Sequence, residues 1–170
     1  MSIEKHRSQA PRFTDCSILT ISDSRTKEDD KSGAWLQQAL LSAGHQIIHY
    51  RLIPDDIAQI RFEIDRIASD RKTRVLLLNG GTGIARRDCT YEAVNGMLEK
   101  QMPGFGELFR YLSFTEEIGS AAILSRATAG IYQQMAIFSM PGSTKAVQLA
   151  MTRLILPEIG HLIGELDKEG

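Results

Sequence analysis

Apolar residues follow two rhythms along this chain. Residues 17–22 (Ser-Ile-Leu-Thr-Ile-Ser) form a short β-rich run that predicts a buried strand. The charged stretch 23–31 reads as a loop with a functional surface. Leu36, Ala39, Leu40 and Ala43 then share one helical face, with Ser32 as the expected cap and Gly44 as the stop. A second strand is expected over 46–53, ended by Pro54. Ile57, Ile60, Ile64 and Ile67 recur at helical spacing and predict a helix over 56–70. Val75-Leu76-Leu77-Leu78 is a continuous apolar run of the kind found in central strands covered on both faces.

Strand, helix, strand, helix, strand in that order predicts a parallel sheet with helices packed on it. Further on, a helix is expected over 90–100, a break at Pro103-Gly104, and a short helix over 105–112. Residues 130–139 read as a hairpin turning at Gln133-Gln134, which gives the sheet one antiparallel strand. Ser143 is a candidate cap for a helix striped by Val147, Ala150, Met151 and Leu154. Pro157 opens a last helix lined by Ile159, Leu162, Ile163 and Leu166.

Composition narrows the class. Apolar residues are 42% and charged residues 24% of 170, an ordinary globular balance that suits one domain spanning 1–170. Lys plus Arg number 20 against 21 Asp plus Glu, so no basic excess points to nucleic acid. Residues 1–15 are polar and read as a flexible tail without the apolar core of a signal peptide. No run approaches a membrane span, and the cytoplasm is the default location. Cys16 and Cys89 lack metal-ligand spacing, and Cys16 reads as a core residue. His45 and His49 straddle a strand, where a spacing of four does not make a metal pair.

In open α/β sheets, ligands bind beyond the carboxyl ends of the strands. The segments after the predicted strands therefore share one rim. Gly80-Gly81-Thr82-Gly83 suits a phosphate, because glycine lets backbone N–H groups come close to an anion. It is neither the Walker loop nor the dinucleotide fingerprint, and a plain strand-to-helix turn is the competing reading. Arg86, Arg87 and Asp88 follow. A carboxylate among phosphates suits Mg²⁺ ligation or base chemistry, against the alternative of a solvated ion pair. Asp55 is a second rim carboxylate, as readily a helix cap as a catalyst, with Asp56 competing for the cap. Ser125-Arg126 and the turn Pro141-Gly142-Ser143 add hydroxyls and cations; ordinary capping is the alternative for Ser143.

In this order, Ile21-Ser22-Asp23-Ser24-Arg25, Asp30 to Gly33, Ile53-Pro54-Asp55, Asn79 to Gly83, Arg86-Arg87-Asp88, Pro103-Gly104-Phe105-Gly106-Glu107, Leu124-Ser125-Arg126 and Met140-Pro141-Gly142-Ser143-Thr144-Lys145 resemble the MoaB/MogA family of molybdenum cofactor biosynthesis proteins. The resemblance covers about residues 16–157 and leans towards the MoaB branch. It implies a three-layer α/β/α sandwich that binds molybdopterin and adenylylates it with Mg²⁺ and ATP. It implies a homo-oligomer, trimer or hexamer, that works beside other cofactor-assembly proteins. Asp55 and Asp88 match the family's two catalytic aspartates, with Mg²⁺ handling as a role. Ser22, Asn79, Gly80, Gly81, Thr82, Gly83, Ser125, Arg126, Pro141, Gly142 and Ser143 match its substrate-binding positions. The alternative is a non-catalytic molybdopterin carrier. The chain departs from the pattern at Asn79, where Thr is common, and at Tyr91, where Pro is common.

Overall fold

The computed structural model describes residues 11–169. Most of the expected tail lies outside the described residues, and its last residue, Asp15, opens the first strand. The chain runs β1 (Asp15–Ile21), α1 (Lys31–Ser42), β2 (Gln46–Ile53), α2 (Ile57–Ser69), β3 (Val75–Asn79), α3 (Thr90–Asn95) and β4 (Lys100–Gln101). It continues through α4 (Pro103–Leu112), β5 (Thr128–Tyr132), β6 (Met135–Met140), α5 (Thr144–Ala150) and α6 (Leu156–Leu166). The six strands form one sheet in the order β2-β1-β3-β6-β5-β4. β2, β1, β3 and β6 are parallel, and β5 runs antiparallel to both β6 and β4.

Side chains on a strand alternate between faces, and that alternation builds two cores. Cys16 and Ile18 of β1 and Val75 and Leu77 of β3 pack with Leu36 and Leu40 of α1, Phe105 and Phe109 of α4, Val147 of α5 and Ile159 of α6. On the other face, Leu19, Ile21, Leu76 and Leu78 meet Ile60, Ile64 and Ile67 of α2 and Ala93 and Val94 of α3. The result is three layers, α/β/α. β3 is buried along its whole length, as its unbroken apolar run predicts.

Two expectations are corrected. The N-cap of α1 is Asp30, whose carboxylate accepts from Gly33 N–H at 3.0 Å. Ser32 is the second residue of the helix, where its hydroxyl donates to Asn79 and accepts from Arg25. The helix expected over 90–100 stops at Asn95, because Lys100 and Gln101 add a short edge strand to β5. No loop separates α5 from α6: a π turn over Met151–Ile155 joins them. Pro157 sits in the first turn of α6, where a missing N–H is tolerated. His49 Nε2 meets Asp70 at 2.6 Å, and His45 Nδ1 accepts from Thr14 N–H, so the two rings face different partners.

Candidate functional site

β1, β2, β3 and β6 end on one rim, and the loops that leave them enclose a cleft of about 420 Å³. Its floor is the turn after β3. Gly80 and Gly81 hold φ of +98° and +65°, a region that L side chains rarely adopt. A Cβ on Gly80 would stand 2.2 Å from the carbonyl oxygen of Ile21. Glycine is therefore required for β1 and β3 to approach at the rim. Among the described residues, the N–H groups of Gly81, Thr82 and Gly83 meet no acceptor within the chain. Three N–H groups without an acceptor, in a turn that lines the cleft, are the kind of backbone that suits an anion.

The two carboxylates flank this turn. Asp56, not Asp55, caps α2, accepting from Gln59 N–H at 2.8 Å; that resolves the capping competition and leaves Asp55 on the cleft wall. The Asp55 N–H donates to Asp23 Oδ1 at 2.9 Å. Asp55 Oδ1 accepts from the backbone N–H and the thiol of Cys89, both at 3.1 Å. Its Oδ2 lies 2.5 Å from where a Gly81 Cβ would stand. Burial, reinforced by the Asp55 contact, pushes the Cys89 thiol up to about 12, so it stays a donor at neutral pH. Asp88 Oδ2 accepts from Ala85 N–H at 3.0 Å and stands 2.5 Å from the corresponding position on Gly83. Each carboxylate thus occupies the space that a glycine leaves open.

Ser22, Gly80, Gly81, Thr82, Gly83, Ser125, Pro141, Gly142 and Ser143 all line the cleft with the two aspartates. Ser143 also caps α5, accepting from Ala146 N–H at 3.2 Å, so both readings of that residue hold. Arg87 reaches the wall, and Arg86 does not. Two expected binding residues stand behind the wall instead. Asn79 is fully buried; its amide donates to Thr20 Oγ1 at 3.0 Å, and its oxygen accepts from Ser32 Oγ at 2.9 Å. Arg126 donates to the carbonyls of Thr82 (3.0 Å), Gly83 (2.6 Å) and Asp88 (3.4 Å). It also pairs with Glu92 and lies 5.1 Å over the Tyr91 ring. Its hydrogen bond holds the Glu92 carboxyl below the usual value. Arg126 therefore braces the glycine turn and the Asp88 loop by donating to three of their carbonyls.

Arg25 has no role legible in the sequence beyond membership of a motif. Its guanidinium donates to Ser32 Oγ at 2.7 Å and to Gly142 O at 2.9 Å, and pairs with Asp30 at 3.4 Å. It ties the loop after β1 to the turn after β6 across the β3 turn. Burial alone would raise the Asp30 carboxyl. Hydrogen bonds from Thr20, Tyr50, Gly33 and Ser32 outweigh that and hold it below the usual value. The charge beside Arg25 is therefore permanent near neutral pH.

A doubly covered, mostly parallel sheet with a glycine turn, two carboxylates and arginines on one rim defines an α/β protein whose cleft lies beyond the carboxyl ends of its parallel strands. The chain belongs to the molybdopterin-binding family of molybdenum cofactor biosynthesis proteins: residues 17–161 match the family described as "Probable molybdopterin binding domain". It is 56% identical over 169 residues to "Molybdenum cofactor biosynthesis protein B" of Halalkalibacterium halodurans, covering 99% of each chain. A solved structure of a "Molybdenum cofactor biosynthesis protein B" superposes with a TM-score of 0.91 at 49% identity, over 94% of this chain and 99% of that one. The "tungsten cofactor synthesizing protein MoaB" from Pyrococcus furiosus follows the same fold, with a TM-score of 0.83 at 34% identity over 92% and 99% of the two chains.

Proposed function

We propose that the chain adenylylates molybdopterin. The terminal phosphate oxygen of the pterin attacks the α-phosphorus of ATP; that P–O bond forms, the bond to the leaving pyrophosphate breaks, and the pterin is activated for metal insertion. The observation that carries this reading is the pair Asp55 and Asp88 flanking one turn of three unsatisfied N–H groups in one cleft. Phosphoryl-type transfer asks a protein for positioning and charge neutralisation more than for covalent chemistry.

No group of three or more His, Cys, Asp or Glu that could hold a metal ion occurs among the described residues. Two carboxylates still fit Mg²⁺, which keeps several waters and takes one or two carboxylates together with substrate phosphates. Asp55 and Asp88 would hold it as the nucleotide complex, where it would neutralise phosphate charge. Residues 81–83 donate N–H groups to a phosphate. Arg87 adds a cation at the wall, and Arg126 and Arg25 keep the turns in place.

We place this activity in the cytoplasm; no described helix is long and apolar enough to cross a membrane. We also propose a homo-oligomer. Leu108, Tyr111, Phe114, Ile118 and Ile123 are each at least half exposed on one stretch of chain, and such a patch favours self-association. Sedimentation of the purified chain checks this, with a monomer as the contrary result.

The decisive assay incubates the protein with molybdopterin, ATP and Mg²⁺ and measures adenylylated pterin and pyrophosphate in equal amounts. Tight pterin binding without nucleotide-dependent product would replace this reading with that of a carrier. Absence of pterin binding would overturn both.

A further inference from the structure

At the other end of the sheet lies a second cleft of about 440 Å³, lined by Ala68, Arg71, Thr73, Arg74, Gln133 and Gln134. It sits at the amino ends of β3 and β6, where Ala136 N–H donates to Arg74 O at 2.9 Å. The length of β3, about 13 Å, separates it from the glycine turn.

Three observations coincide there. Among the described residues, three non-glycine residues adopt positive φ: Arg71 (+55°), Gln133 (+47°) and Gln134 (+64°). All three line this cleft. Glycine or asparagine would take these turn positions with less strain, so the chain places long polar side chains where the backbone disfavours them. Second, Arg74 Nε is buried without a partner; one bond, from Nη2 to Asp167 at 2.6 Å, engages the same guanidinium. Third, among the described residues Arg71 stands unpaired in the lining, while Arg74 is paired with Asp167 from outside it. The lining holds two arginines and no carboxylate, and the Arg71 guanidinium meets no acceptor among the described residues. The Thr73 hydroxyl is engaged by Ser17 at 2.7 Å.

The geometry points to a second anion site in this cleft, separate from the molybdopterin cleft, that takes a multivalent oxyanion of the phosphate class. Arg71 offers a free guanidinium fork, a shape that suits a tetrahedral oxyanion, and Arg74 adds a second positive group whose Nη2 is shared with Asp167. The Gln134 amide flanks them on the hairpin turn, and the Gln133 amide donates to Tyr132 Oη at 3.0 Å. The volume admits either a free phosphate or the phosphate end of a small phosphorylated molecule. This inference does not depend on adenylylation.

The test is a titration of the full-length, isotopically labelled chain with inorganic phosphate, and separately with AMP, at constant ionic strength, followed by amide NMR shifts. Saturating shifts at residues 71–74 and 133–134 are expected. They should weaken at least tenfold in Arg71→Ala, while shifts at residues 80–83 keep their wild-type affinity. Saturation by phosphate identifies a free anion; saturation by AMP alone identifies a phosphorylated molecule; each supports the site. Gln134→Gly keeps the turn conformation and removes one amide, so it should bind phosphate more weakly while melting at a higher temperature. Shifts confined to residues 80–83, or non-saturating shifts at residues 71–74 that persist in Arg71→Ala, would overturn the proposal.

Discussion

The two ends of the parallel sheet carry clefts of similar size built on opposite plans. At the carboxyl rim, glycines take the positive-φ positions, the donors are backbone N–H groups, and carboxylates fill the space the glycines leave. At the amino end, Arg71, Gln133 and Gln134 take such positions, the donors are side chains, and no carboxylate lines the wall. Backbone donors are fixed by the strands they follow and need no ordering when a ligand arrives. Side-chain donors on strained turns must be ordered by the ligand itself. The first plan suits chemistry, which needs atoms held in place, and the second suits binding.

The comparison breaks most sharply at Gly80. Gly80→Ala forces a Cβ against Ile21 O at a φ of +98°, so about 3 kcal/mol of stability should be lost. Urea denaturation measures it, and an unchanged midpoint would mean that the rim tolerates side chains after all. Next comes Asp88→Asn. Loss of a preorganised charge should slow adenylylation about a hundredfold or more, with the melting temperature nearly unchanged, because an amide oxygen can still accept from Ala85 N–H. Pyrophosphate release reads this out, and a wild-type rate removes Asp88 from the chemistry.

Asp30→Asn tests the buried charge behind the rim and should cost about 2 kcal/mol at neutral pH. The Asp30 carboxyl is depressed in the fold, so its contribution is present above the ordinary value of 3.8 and is lost as pH falls through the lower folded value. The stability gap between wild type and variant should therefore close below about pH 3.8 in thermal melts. A gap that stays constant down to pH 2 would show that the charge contributes nothing. The smallest effect is expected at the other end of the sheet. Gln134→Gly should gain about 0.5 kcal/mol by relieving a left-handed non-glycine residue, and a lower melting temperature would contradict the strain assigned to that turn.

Much of this could be read from the residues, for reasons that differ by place. The apolar run Val75-Leu76-Leu77-Leu78 and the isoleucine repeat of α2 marked their elements because burial imposes a period. The turn at Gln133-Gln134 stood out by its position between two runs, although neither residue favours the conformation it adopts. The site was legible as a set of segments on one rim, and Asp55 and Asp88 do share a cleft. Asn79 and Arg126 were legible as polar residues near it, but not as buttresses. The side a polar group faces depends on partners distant in sequence: Thr20 and Ser32 for Asn79, and three loop carbonyls for Arg126. The cap of α1 was misplaced by two residues for a similar reason. Asp30 gathers donors from Tyr50 and Thr20 as well as from its own helix.

By itself, the sequence determined the period of each element, the layering those periods require, and the glycines that allow a tight turn at the rim, because these follow from local sterics and the burial of apolar surface. The tertiary structure alone decided which acid stays free of capping and which arginine lines the cleft or braces a loop. It also decided that a second cleft of arginines and strained turns forms at the far end, because each of these depends on atoms that only strand pairing and helix packing bring together.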